Sequence, residues 1–197
     1  MDRIYIIGRD SVPSLIRLDE GEKLNMTLVA LPGVSANVQL EIDIDGPGCE
    51  VDLAGIYLCQ SDEDVRFNIM VRHNSGGSLS RQVFRGIVGG KAKALFNGLI
   101  YVAQDAQKTK AYQENHNILL DREARVESLP QLEIYADDVE CSHGCTTGFL
   151  NADEQFYMRS RGIPEDEAKR LQKIAFLAPV ASRLPEALAQ EIYDDIS

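Results

Sequence analysis

The chain has 197 residues, 44% of them hydrophobic and 26% charged, enough for one sizeable core with at most a small appendage. A formal net charge of −11 excludes the clustered basic surface that nucleic acid or an anionic membrane face requires. No run of about 18 apolar residues is present to span a bilayer, and the first residues, "MDRIYIIGRDSVPSLIRLDEGEK", lack the pattern of a secretion signal, so four Cys read as reduced thiols of a cytoplasmic protein.

In chain order, residues 26–136 are dominated by short alternating runs rich in β-branched residues. They are "VQLEIDIDG" (38–46), "CEVDLAGIYLC" (49–59), "VRFNIMVRH" (65–73), "SLSRQVFRGIVG" (78–89), "AKALFNGLIYVA" (92–103) and "ARVESLPQLEIYA" (124–136). Alternation predicts strands with one face on a core, as with Val65, Phe67, Ile69 and Val71. "GPG" (46–48), "NSGG" (74–77) and "GG" (89–90) are the turns between them.

The runs repeat weakly. "VQLEIDIDGPGCEVDLAGIYL" aligns with "VRFNIMVRHNSGGSLSRQVFRGIV", putting Gly55 and Gly86 in matching places, and "AKALFNGLIYV" puts Gly98 there too. A glycine recurring inside strands predicts a recurring close contact between coils. Repeats without intervening helices point to a β-solenoid, with a β-sandwich as the competing architecture.

After Gly148 the period becomes helical, dividing the chain into a β part (1–148) and a helical segment (149–197). Asn151 or Asp153 can cap a short helix that ends before Gly162. Pro164 starts a second helix with Glu165, Asp166 and Glu167 near its positive end. Leu171, Ile174, Ala175 and Ala178 form its predicted apolar stripe, Pro179 its predicted stop, and a third helix starts near Pro185. The segment is too small for its own core and must pack on the β part or on a partner.

The chemically distinctive stretch is "DDVECSHGCTTG" (137–148). In an extended chain Cys141, His143 and Cys145 share a face, with neighbours in that row about 6.5–7 Å apart. Two such side chains can lean onto one ion, but three from one strand cannot close a tetrahedral site, and the spacing is not that of CxxC or HxxxH zinc centres. Half of a metal site completed from elsewhere, a thiolate–imidazole nucleophile, and small buried residues all remain open here. His73 and His116 read as structural, and Cys49 and Cys59 as core. No GxxxxGK[ST] loop is present, so no nucleotide is expected on this chain. Adjacent Asp137 and Asp138 point to opposite faces and cannot form the carboxylate pair of a β-helix hydrolase.

The run "QLEIYADDVECSHGCTTGFLNADEQFYMRSRGI", with "GLIYVAQDAQKTKAYQENHNILLDREARVESLPQLEI" before it, resembles the C-terminal signature of the SufB/SufD family. These are scaffold proteins of the SUF iron–sulfur cluster assembly system. The resemblance is specific over roughly residues 80–163. The "ADDVxCSHGxT" form is similar to the SufD type. Asn115 stands where SufB-type chains carry a Cys implicated in cluster building, and Cys145 stands where the family more often has a small residue such as Ala. Family members usually carry a longer helical N-terminal region; this chain begins almost directly in strands.

The resemblance implies a right-handed parallel β-helix followed by a small C-terminal helical segment, and a scaffold rather than an enzyme. It implies pairing with a SufB-like subunit or with a second copy as a homodimer, and docking of a SufC-type ATPase. Cys141 and His143 match the residues placed at the subunit junction, as ligands of a transient iron–sulfur cluster. The ATPase surface would draw on the first two helices, with Tyr157, Arg159, Arg161, Leu171 and Ile174 as candidates. Neither nucleic acid nor membrane is an expected partner.

Overall fold

Period-two runs broken by glycine-containing turns can pair antiparallel as hairpins or parallel as successive coils, and the register decides between them. The computed structural model describes residues 2–196 and places eleven strands before three helices. The strands are β1 (Asp2–Ile6), β2 (Leu15–Leu18), β3 (Lys23–Ala30), β4 (Ala36–Ile44), β5 (Glu50–Cys59), β6 (Asp64–His73), β7 (Leu79–Val88), β8 (Lys93–Val102), β9 (Lys110–Leu119), β10 (Arg125–Ile134) and β11 (Glu140–Gly148). Odd strands form one sheet in the order β1-β3-β5-β7-β9-β11, and even strands form the other, β10-β8-β6-β4-β2. Every pairing is parallel. The fold is therefore a parallel β-solenoid of about five turns, each turn giving one strand to each sheet.

Parallel register stacks the inward side chains in columns along the solenoid axis. One column runs Met26, Leu53, Gln82, Gln113, His143, and the next Leu28, Gly55, Phe84, Asn115, Cys145. The early coils are filled by aliphatic residues and by rings that zigzag between the sheets, Tyr57–Phe67 and Phe67–Phe84 at 5.5 Å and Phe84–Phe96 at 4.8 Å between centroids. The first column turns polar at β7 and the second at β9.

The glycines do make the expected close contacts, but not in matching places. Gly55 pairs with Phe84, and Gly86 with Tyr57. The Phe84 ring lies where a Gly55 Cβ would be, and the Tyr57 ring where a Gly86 Cβ would be. Gly55 and Gly86 are thus two positions apart in the columns. Gly98 belongs to the other sheet, where it admits the Gln113 amide.

The turns are held by side chains that satisfy strand-end backbone. Glu63, buried in the turn between β5 and β6, accepts N–H groups of Gly33 (2.8 Å), Gln60 (3.0 Å) and Ser61 (2.8 Å). Burial alone would raise its pKa, but these backbone donors outweigh it and hold the carboxyl below its ordinary value. Glu63→Ala strands those donors and is expected to cost about 2–3 kcal/mol, read as a lowered urea midpoint with an unchanged slope.

The helices are α1 (Ala152–Ser160), α2 (Glu165–Ala181) and α3 (Glu186–Asp195). Asn151 caps α1, its side chain accepting from Asp153 and Glu154 N–H, and Gly162 past its end has φ +88°. The expected stop of α2 at Pro179 does not hold: the helix runs on to Ala181 with the proline inside it. Packing outweighs the lost hydrogen bond, because Val180 and Ala181 are buried on the outer face of the odd sheet. The buried stripe is accordingly Ala168, Leu177, Val180 and Ala181 with Ile174 beside it, whereas Leu171 and Ala175 lie exposed. Leu177, Val180, Ala181, Leu184, Ile192 and Ile196 pack on Val29, Leu31, Ala54, Ile56, Leu58 and Ile87. Arg183 pairs with Asp52 across this junction.

Candidate functional site

The columns end at β11, the last strand of the odd sheet, and β10, the last of the even sheet. Each keeps one backbone edge unpaired, so the lumen opens there. The inner row of β11 is Cys141, His143, Cys145 and Thr147, in register with buried Ala111, Gln113, Asn115 and Asn117 of β9. The spacing thus does put both thiols and the imidazole on one face, and that face is the mouth of the solenoid. Across it, the inner row of β10 includes Ser128, whose hydroxyl donates to Asn115 Oδ1 at 2.8 Å, and Leu132, which shares a cluster with Cys141.

The three soft groups differ in surroundings. Cys141 is half-buried against Ile100, Val102, Ala111 and Ala136. Burial pushes its thiol pKa up, the Ala111 backbone opposes this, and the Glu140 carboxylate adds to the rise. The thiol is thereby held in its neutral form at neutral pH. His143 and Cys145 are exposed because no further strand covers them. Among the described residues, no three His, Cys, Asp or Glu side chains lie close enough to hold a metal ion. The mouth supplies donors on one wall only.

Behind the mouth is a polar network absent from the sequence reading. Asn115 donates to Tyr57 Oη (2.9 Å), Asn117 to Asn115 Oδ1 (2.8 Å), Tyr57 to Asn117, and Gln113 to Gln82 Oε1 (3.1 Å). Its signal in the sequence is the alternation of amides in "AYQENHN" (111–117). His116 is on the opposite, outer face, with Nδ1 2.7 Å from Thr146 Oγ1 and Nε2 3.4 Å from Glu114, so it takes no part in the mouth. His73 and the thiols of Cys49 and Cys59 are buried.

A second feature lies beside the mouth. An apolar groove of about 920 Å³ runs between α1 and α2, lined by Phe149, Tyr157, Met158, Leu171 and Phe176 over Ile118. Phe149 and Tyr157 are 61% and 60% exposed, unusual for rings of that size. Of the candidate contact residues, Tyr157 and Leu171 line this groove, Arg161 stacks on the Tyr157 ring at 5.4 Å, and Arg159 approaches Glu165 at 3.6 Å. Ile174 instead packs into the cluster on the odd sheet.

Fold and mouth together define a parallel β-solenoid whose open end carries two thiols and an imidazole on one wall. The family model described as the SufBD core domain of SUF-system FeS cluster assembly matches residues 12–176. The chain belongs to the SufBD family. It is 46% identical over 123 residues to the iron–sulfur cluster assembly protein SufD of Escherichia coli, a stretch that covers 62% of this chain and 29% of that protein. It is 40% identical over 183 residues to an iron–sulfur cluster assembly SufBD family protein of Synechocystis, 93% of this chain and 38% of the relative. With SufD of Bacillus subtilis it shares 31% identity over 140 residues, 71% of this chain and 32% of that one. The chain thus spans about a third of the length of the curated relatives it matches.

Proposed function

We propose that this chain is a non-enzymatic scaffold component of iron–sulfur cluster assembly, whose solenoid mouth supplies Cys141 and His143 as one half of a transient cluster site. The observation that carries this reading is the placement of a thiol and an imidazole on the inner row of an unpaired edge strand. Thiolate and imidazole suit iron of an iron–sulfur cluster, and donors on one wall suit a site closed by another subunit. That subunit is a SufB-like chain or a second copy of this one, joined through the free edges of β10 and β11, where backbone groups are ready to pair. The groove between α1 and α2, with Tyr157, Leu171 and the cations Arg159 and Arg161 at its side, is the surface for a SufC-type ATPase.

The test is anaerobic isolation of the chain with its assembly partners, followed by iron and acid-labile sulfide analysis. Cys141→Ala and His143→Ala are each expected to keep the complex together and to lower its cluster content or transfer about tenfold or more, since loss of even an outer-shell partner of a metal ligand costs about that much. Parental cluster content in both variants would leave only a pairing and docking role.

A further inference from the structure

In the inner row of β9, Asn115 and Asn117 are tied into the network around Tyr57, but Gln113 is not fully used. It is 1% exposed, and its Nε2 donates to Gln82 Oε1 at 3.1 Å. Its Oε1 is buried with no hydrogen-bond partner, and so is Gln82 Nε2 at the far end of the pair. An amide oxygen buried without a donor opposes folding, so coil packing does not account for it. The amide is also closely fitted: a Cβ at Gly98 in the opposite sheet would lie 2.5 Å from Gln113 Nε2. Its nitrogen is committed to the coil behind and its space is fixed by a missing side chain. The residue ahead of it in register, one strand spacing of about 4.8 Å away, is His143. A neutral imidazole carries one N–H donor and one lone pair, and the partner of one nitrogen decides the state of the other.

We propose that Gln113 is the positioning residue of His143. In the structure the Gln113 Oε1 has no partner and the His143 ring is exposed; a turn of the ring toward the lumen lets Oε1 accept the imidazole N–H, which fixes one tautomer and one ring plane and leaves the second nitrogen's lone pair at the mouth. The carbonyl–imidazole–metal order is the arrangement by which proteins orient histidine ligands. The inference rests on the reading of His143 as a ligand.

The chain has three His. Ring ¹³C and ¹⁵N chemical shifts of His143 in the full chain, at a pH where the ring is neutral, can therefore be assigned by single substitutions. The parent is expected to hold His143 in one tautomer. Gln113→Met, close in shape but without an acceptor, is expected to let the two tautomers mix, and Gln113→Glu, which keeps an acceptor, to retain the parental one. Cobalt(II) titration with thiolate-charge-transfer detection is expected to weaken about tenfold in Gln113→Met. Identical His143 ring shifts in the parent and Gln113→Met would overturn the proposal. Cobalt binding that survives His143→Ala unchanged would instead overturn the ligand reading, with the ring shifts still deciding the role of Gln113.

Discussion

Gly55→Val is expected to destabilise the chain by about 3 kcal/mol or more, an overpacking penalty at the upper end of its range. Any Cβ at Gly55 overlaps the Phe84 ring. That ring is fully buried and held between Phe67 and Phe96, so it has nowhere to move. The cause can be separated from the substitution itself. Phe84→Ala alone leaves a cavity and costs about 3–5 kcal/mol. In the double variant the new methyls enter that cavity, so the combined loss is expected to fall short of the sum by about 1 kcal/mol or more. Urea unfolding of the four chains reads the difference. Additive losses would mean that the ring does not occupy the glycine's space.

Stability is expected to fall by about 3 kcal/mol as pH drops from about 6.5 to about 4, through His73. Burial lowers its pKa from 6.5 to about 4. One ring nitrogen lies 2.8 Å from Ser80 Oγ and the other is buried without a partner. The folded chain therefore keeps His73 neutral in a range where the unfolded chain takes up a proton. Acid favours the state that binds more protons, so this contribution is complete above about pH 6.5 and lost as pH falls toward 4. Below that, the folded form is protonated as well and the group adds no further slope. His116, lowered mainly by burial, acts in the same direction. The comparison that isolates His73 is the pH dependence of the urea midpoint in the parent against His73→Leu, which is expected to be markedly flatter.

The strands of coils 2 to 4 can be read from sequence because their inner faces are apolar and alternate with polar outer ones, as in Val65, Phe67, Ile69 and Val71. β9 is not marked in this way. Its inner row is Ala111, Gln113, Asn115 and Asn117, so hydrophobic alternation vanishes where the lumen becomes polar. The residues most relevant to the mouth were thus the hardest to place, although the resemblance to a known family passed through them. The row of Cys141, His143 and Cys145 follows from period two alone; that it closes a lumen follows only from the stacking of coils. Gly55 and Gly86 coincide when the two coils are matched by their glycines, but the turns 45–49 and 74–78 are equal in length and the strands on either side keep one register, which sets Gly55 opposite Phe84; a shift of two keeps a residue on the same face while changing its neighbour. The end of α2 depended on contacts with a sheet more than 90 residues earlier, and no local propensity reports those.

The covering by α2 and α3 is uneven along the axis. They clamp the outer faces of β3, β5 and β7, while the outer row of β11 carries Glu140, Ser142, Gly144, Thr146 and the terminal Gly148, with no large apolar side chain among them. In a stack where each layer is held chiefly by its neighbours, opening costs least at an end with one neighbour and no clamp. The mouth is therefore expected to open more easily than the coils that α2 and α3 cover. A partner strand added there would act as the missing next layer, stiffening the row of Cys141 and His143 in the same event that brings the second set of donors within reach.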